Sequence, residues 1–178
     1  MIIKPIYLYF CLIIILFIYS KTNSLIYLYA AYFLLGIPIV FISEKQLGIK
    51  NLKSLVMGLV FSLIYMPFLK EKLFLPNLFL KAFFEEVFFR SYLQNTFQNN
   101  LNIHLSIIIT SILFTIPHIL INSEIISILV FIPSILFGYL YAFNKSIWTS
   151  SIFHYFSNLF YIQNKEIINK ILEKALSN

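Results

Sequence analysis

Long apolar runs broken by brief polar punctuation set the rhythm of this chain. Seven runs are long enough to be helices: Ile2 to Ser20, Leu25 to Ile42, Leu52 to Leu69, about Leu73 to Phe97, Ile103 to Ile121, Ile125 to Phe143 and Ser146 to Ile162. Crossing a hydrocarbon layer of about 30 Å takes roughly 20 apolar residues in a helix. The runs are continuous rather than alternating and exceed the length of a barrel strand, so they predict helices and not a β-barrel. Gly36 and Pro38 interrupt the second run, which membrane helices tolerate where neighbours satisfy the freed backbone groups. The first run lacks the small-residue cleavage site of a signal peptide and is expected to remain as a helix. Polar connections are short, at 21–24, 43–51, 70–72, 98–102, 122–124 and 144–145.

Beyond Asn164 the period changes. Ile167, Ile168, Ile171, Leu172 and Leu176 share one helical face, with Lys165, Glu166, Lys170, Glu173 and Lys174 elsewhere. That pattern predicts an amphipathic helix lying on the membrane surface. With no internal repeat and no linker, the expectation is one integral membrane domain over residues 1–178. Its fold class is all-α, a polytopic bundle of about seven transmembrane helices plus the C-terminal amphipathic helix.

Composition agrees with that reading. The 178 residues are 60% hydrophobic and 11% charged, with a mean hydropathy of +0.87, more apolar surface than a soluble core of this size could hide. The net charge of +6 comes without a basic stripe or interleaved aromatics, which excludes a nucleic-acid partner. Lysines at the ends of apolar runs suit anionic headgroups instead. Lys and Arg are nearly balanced between alternate loops, so no orientation is predicted. Cys11 is the sole cysteine, which rules out an intrachain disulfide and a cysteine metal cluster. Abundant Ile, Phe, Lys and Asn, with no Asp, fit an AT-rich bacterial genome, and the expected location is the bacterial cytoplasmic membrane.

A charge near the bilayer centre costs at least ~2.5 kcal/mol, which makes intramembrane ionisable groups functional candidates. Within KAFFEEVFFR, Glu86 and Arg90 are one helical turn apart and can neutralise each other, while ideal geometry turns Glu85 about 140° from Arg90. Glu85 is thus expected to lack a partner on its own helix and to be reactive. In FTIPH, Phe114 precedes His118 by one turn and Pro117 can open the helix beside it; His118 could be a base, a ligand or a core histidine. In HYFSN, His154 and Asn158 share a face, as oxyanion donors or as interhelical hydrogen-bonding groups. His104 falls outside these patterns and is expected at the interface.

The three patterns, Glu-Glu-x-x-x-Arg, Phe-x-x-x-His and His-x-x-x-Asn, resemble in their order the CPBP family of intramembrane proteases. That family is also called the Abi or CAAX-protease-and-bacteriocin-processing family. The resemblance covers about residues 73–162, the expected protease core, and includes FFRSYLQ and FGYLYAFNKSIWTSSIFHYFSN. It implies an endopeptidase acting on membrane-associated peptides or proteins, with Glu85 and His118 activating water and His154 and Asn158 holding the oxyanion. Glu86 and Arg90 would shape the site and Phe114 would line it. Ser91 stands where a glycine is common in the family.

Relatives trim prenylated proteins, process bacteriocin or pheromone precursors, or cut sorting signals. The expected partners are therefore a membrane-anchored substrate and the lipid bilayer. No cofactor is expected on the favoured route. The rival route uses zinc held by Glu85, His118 and His154, although the chain has no His-Glu-x-x-His helix. Two non-protease readings compete: a membrane immunity or partner protein, and a proton-relaying transporter.

Overall fold

The computed structural model describes residues 3–49, 53–70, 74–122 and 126–176. The expected helix starts at Ile2, Leu52, Leu73 and Ile125, and the connecting residues 50–51, 71–72 and 123–124, lie outside the described residues. Among the described residues the chain is helical and contains no strand, as the pattern predicts. The elements are α1 (Ile3–Thr22), α2 (Leu25–Gly36), α3 (Pro38–Phe41), α4 (Glu44–Leu47) and α5 (Lys53–Ser62), the last continued by a 3₁₀ turn, Leu63–Phe68. After them come α6 (Pro76–Glu86), a π-helix (Val87–Gln94), α7 (Asn95–Gln98), α8 (Ile103–Ile121), α9 (Ile126–Leu129), α10 (Phe131–Asn144) and α11 (Ile147–Leu176).

Three helical stretches are long and apolar enough to cross a membrane, Lys4–Thr22, Ile103–Ile121 and Ile126–Asn144, and each leaves most of its surface facing outward. Leu25–Phe41 and Lys53–Phe68 are apolar but shorter. Large apolar side chains point away from the bundle on several sides, Val40 at 81% exposure and Ile26 at 76% among them. Such a surface belongs in lipid. The chain is an integral membrane protein.

Prolines explain where helices break and how they survive. Pro38 opens α3 at its first position and Pro76 opens α6 likewise, where a missing N–H costs nothing. Pro133 sits at the third position of α10, and the amide it lacks is the one that would have bonded Leu129, the last residue of α9. Inside α8, Pro117 frees the Leu113 carbonyl, and the Tyr9 hydroxyl of α1 donates to that oxygen at 3.1 Å. A neighbouring helix thus repairs the ladder beside the predicted histidine.

Small residues allow a close approach of α5 to α11. Ser54, Gly58 and Ser62 line the buried face of α5, and a Cβ on Gly58 would stand 3.0 Å from Ile152 Cβ and 3.2 Å from Thr149 Cα on α11. This is the small-xxx-small packing of membrane helices. The start of α11 is also tied by hydrogen bonds to the segment around α4. Ser146 Oγ donates to Gly48 O at 3.0 Å, Trp148 Nε1 to Ile49 O at 2.8 Å and Thr149 Oγ1 to Ser54 O at 3.0 Å. Gly48 is in the left-handed region at φ 64°, and a Cβ there would lie 2.1 Å from Lys145 O. The register of α11, and with it the height of His154, is set by this clasp.

Two expectations change in detail. The fourth run is not one α-helix: its middle, from Val87 to Gln94, is wound as a π-helix. The amphipathic tail is not a separate helix either, since α11 runs unbroken through Ile162 to Leu176. No glycine or proline interrupts residues 147–176, and the polar residues at the junction are bonded rather than breaking the helix. Asn164 Nδ2 donates to Phe68 O at 3.1 Å, and Gln163 Oε1 accepts from the Lys70 amide at 2.7 Å. At 1.5 Å per residue α11 is about 45 Å long, more than a bilayer core needs.

Candidate active site

The last residue of α6 and the first turn of the π-helix form the centre. Glu86 and Arg90 are both wholly buried, with Arg90 Nε 3.3 Å from Glu86 Oε2. Arg90 Nη2 donates to Ser134 Oγ on α10 at 2.7 Å, and the guanidinium lies 5.3 Å from the Phe114 ring centre and 6.0 Å from that of Phe137. Opposite charge, a hydroxyl and two ring faces compensate a cation that has no access to water.

The other oxygen of Glu86 faces α11. His154 Nδ1 is 2.9 Å from Glu86 Oε1, while His154 Nε2 is 3.5 Å from Glu85 Oε2. Adjacent carboxylates on one helix therefore clasp one imidazole from another. The ideal-helix angle separates Glu85 from Arg90, but it does not keep the two glutamates from sharing a partner, because the imidazole offers each a different nitrogen. Phe137 stacks on the His154 ring at 4.4 Å and Phe114 meets it edge-on at 5.6 Å, fixing its plane.

Glu85 is not without a partner on its own helix, which corrects the sequence expectation. Lys81, one turn earlier, places Nζ 3.8 Å from Glu85 Oε1. From Glu85 the i,i+4 spacing leads forward to Phe89, which carries no charge, and back to Lys81, which does. Glu85 Oε2 is nonetheless buried without a hydrogen bond.

A cavity of about 320 Å³ opens beside this cluster, with Lys81, His118, His154 and Asn158 on its wall and Phe114 and Phe137 at its back. Glu85 is not on that wall; it contacts two residues that are, Lys81 at 3.8 Å and His154 at 3.5 Å. His118 Nδ1 is 2.9 Å from the Phe114 carbonyl. A carbonyl only accepts, so Nδ1 carries a proton, and in the neutral form of the ring the lone pair is on Nε2. Phe114 thus positions the imidazole as well as lining the cavity.

Sequence reasoning missed Lys81, Ser134 and Phe137. Ser134 and Gly138 lie four apart on α10, and Gln94 Nε2 donates to Gly138 O at 3.0 Å; two small residues at that spacing were the available signal. His104 stays outside the cluster, exposed, with Nδ1 2.7 Å from the Tyr139 hydroxyl. A larger cleft of about 630 Å³ near the start of α1 holds Lys4, Gln46, Asn95 and Asn99 but no carboxylate or imidazole. Its size alone gives it no chemistry.

A family model for type II CAAX prenyl endopeptidase Rce1-like proteins matches residues 67–160, more than half of the chain. The chain belongs to that family. No curated protein and no solved structure matches it. The Rce1-like segment contains all seven residues singled out above, from Glu85 to Asn158. It agrees with the CAAX-protease resemblance carried by the three motifs. The Rce1-like protein is therefore a CAAX-type protease of the membrane.

As for a metal, among the described residues no group of three or more His, Cys, Asp or Glu side chains stands in a metal-holding arrangement. His118 and His154 line one cavity, and Glu85 contacts His154 from outside that lining.

Proposed function

We propose that the protein is an intramembrane endopeptidase that hydrolyses membrane-associated peptide or protein substrates with water activated by Glu85 and His118. The observation that carries this reading is a buried, incompletely bonded carboxylate, Glu85, against His154 at the side of a cavity that His154 lines together with a second imidazole, His118, and the amide of Asn158. Peptide hydrolysis needs a proton acceptor, donors for the tetrahedral oxyanion, and a proton for the leaving amine. Each has a candidate here.

In the proposed step a water beside His118 Nε2 gives a proton to Glu85 as its oxygen attacks the scissile carbonyl carbon. The carbonyl oxygen takes the negative charge and is held by Asn158 Nδ2 and His154 Nε2–H. Glu85 then returns the proton to the amine nitrogen as the C–N bond breaks, leaving a carboxylic acid and an amine. His154 donates from Nε2 only while both ring nitrogens carry protons, because its Nδ1–H is directed at Glu86. Glu86 is thus a positioning residue, and Arg90 holds Glu86 in turn.

The test uses the purified protein in lipid vesicles with membrane-anchored peptides, and new termini are read by mass spectrometry. Cleavage is expected, with activity surviving chelation and no stoichiometric zinc by elemental analysis. His154→Gln keeps a donor near the oxyanion but is a poor zinc ligand, and is expected to retain part of the rate. Zinc lost together with activity in that variant would overturn the metal-free route, and absence of any new terminus would overturn the protease reading.

A further inference from the structure

Several polar residues that the hydrolytic scheme leaves unused gather at one end of the bundle, around the cleft of about 630 Å³. Lys4 enters it from the start of α1, Gln46 from α4, Ser91 from the π-helix, and Asn95 and Asn99 from α7 and the residue after it. The cleft shares no lining residue with the 320 Å³ cavity. Its depth follows from the chain. Lys4 opens one membrane-long helix, and Asn99 and Asn100 stand just before another that begins at Ile103. Two spans start at this end, so the cleft lies at the level of one leaflet's headgroups.

The lining has a definite chemistry. Lys4 is its one cation among the described residues, and it includes no Asp or Glu. The Lys4 ammonium and the Asn95 and Asn99 side-chain amides have no hydrogen-bond or ion-pair partner among the described residues. Ser91 is only 2% exposed, and its Oγ is buried without a hydrogen bond. The Tyr141 hydroxyl nearby donates to Gln46 O at 2.9 Å and has no proton left for Ser91. A buried hydroxyl left unpaired is costly, and a ligand oxygen in the cleft would satisfy it. One ammonium with neutral donors fits an anion, and the missing carboxylate leaves nothing for a headgroup that carries its own ammonium. Tyr7 and Phe41 line the cleft and are exposed as well. Its apolar wall therefore runs on to the surface that faces lipid, which suits an acyl chain and is of no use to a free phosphate.

We propose that this cleft binds one anionic glycerophospholipid, its phosphodiester on Lys4 and the amides, its headgroup hydroxyls toward Ser91, and its acyl chain along Tyr7 and Phe41. Ser91 directly follows Arg90, and Asn95 lies four residues on. An occupied cleft thus braces the π-helix from outside the catalytic cavity, and a ligand that binds only the folded state raises its stability.

The experiment offers the purified protein in detergent micelles equal amounts of phosphatidylglycerol and phosphatidylethanolamine and reads the retained lipid by native mass spectrometry. The wild type is expected to prefer phosphatidylglycerol by about tenfold, the scale of one charge-assisted contact among headgroups. Lys4→Gln should bring the ratio to about one and Lys4→Arg should keep it, while Lys21→Gln, at the far end of α1, should leave it unchanged. Phosphatidylglycerol should also raise the melting temperature of the wild type and not that of Lys4→Gln. Equal retention of the two lipids by the wild type, or an unchanged ratio in Lys4→Gln, would overturn the site. Glycerol phosphate in large excess separates the two sources of the same anion. Lipid that stays bound supports the proposal, whereas its displacement would assign the cleft to a soluble phosphate ester and overturn the lipid reading.

Discussion

Two ion pairs with the same four-residue spacing lie end to end on the same stretch of helix, and their surroundings set them apart. Glu86 and Arg90 are 3.3 Å apart and wholly buried, and both have second partners on other helices. Lys81 and Glu85 are 3.8 Å apart at the edge of a cavity, the lysine 40% exposed. The inner pair is a frame closed off on both sides, whereas the outer pair joins a buried carboxylate to a partly exposed lysine. Equal spacing in sequence therefore says little about function until burial is known, and burial here changes within one turn, where the α-helix gives way to the π-helix. Local π-winding is a frequent mark of functional sites.

The comparison is broken most severely at Glu85. Glu85→Gln keeps the volume and the loose contact to Lys81 while removing the proton acceptor. Cleavage is expected to drop by about 10²–10⁴-fold, the usual range for a general base, with yield and melting in detergent unchanged. A variant that still cuts at near wild-type rate would show that the outer pair is not the reactive one.

Arg90→Ala tests the inner pair. Removing one member of a buried ion pair leaves the other uncompensated, at a cost of about 3–5 kcal/mol, and Ser134 loses its partner as well. The expected outcome is a large fall in folded yield and melting temperature, with activity lost along with the fold. Glu86→Ala should behave alike and should also free His154. Normal abundance and melting of both variants would remove the contrast between the pairs.

Much of this contrast was legible before any coordinates. The Glu86–Arg90 pair follows from a four-residue spacing in an apolar run, and the helix Ile103–Ile121 was bounded to the residue, because Asn102 caps it and its amide acceptor bonds Leu105 at 2.9 Å. Family motifs supplied His118, His154 and Asn158, and the fold places all three on one cavity. What the pattern withheld is three-dimensional. Nothing in EEVFFR announces a π-helix, since its apolar residues suit either winding. The clasp of both glutamates on His154 depends on the register of α11, and that register is set by contacts 95 or more residues apart, such as Thr149 with Ser54 and Trp148 with Ile49. Ser134 was invisible for the same reason, since a serine in an apolar helix bonds its own backbone as readily as a partner.

That serine offers the finest test of how the frame is built. Ser134 Oγ accepts from Arg90 Nη2 at 2.7 Å in a fully buried setting, and Arg90 Nη1 has no hydrogen bond. Ser134→Ala would therefore leave a second guanidinium nitrogen buried and unpaired, an expected cost of about 1–3 kcal/mol. This is smaller than the loss of the ion pair because Glu86 still neutralises the charge. The variant should melt earlier in detergent yet keep its kcat/KM when assayed well below its melting point, since Ser134 does not line the cavity. Ser134→Thr restores the hydroxyl and should recover part of the loss. If Ser134→Ala melts like the wild type, the guanidinium is held by Glu86 and the two rings alone, and the inner pair is less tightly framed than its geometry indicates.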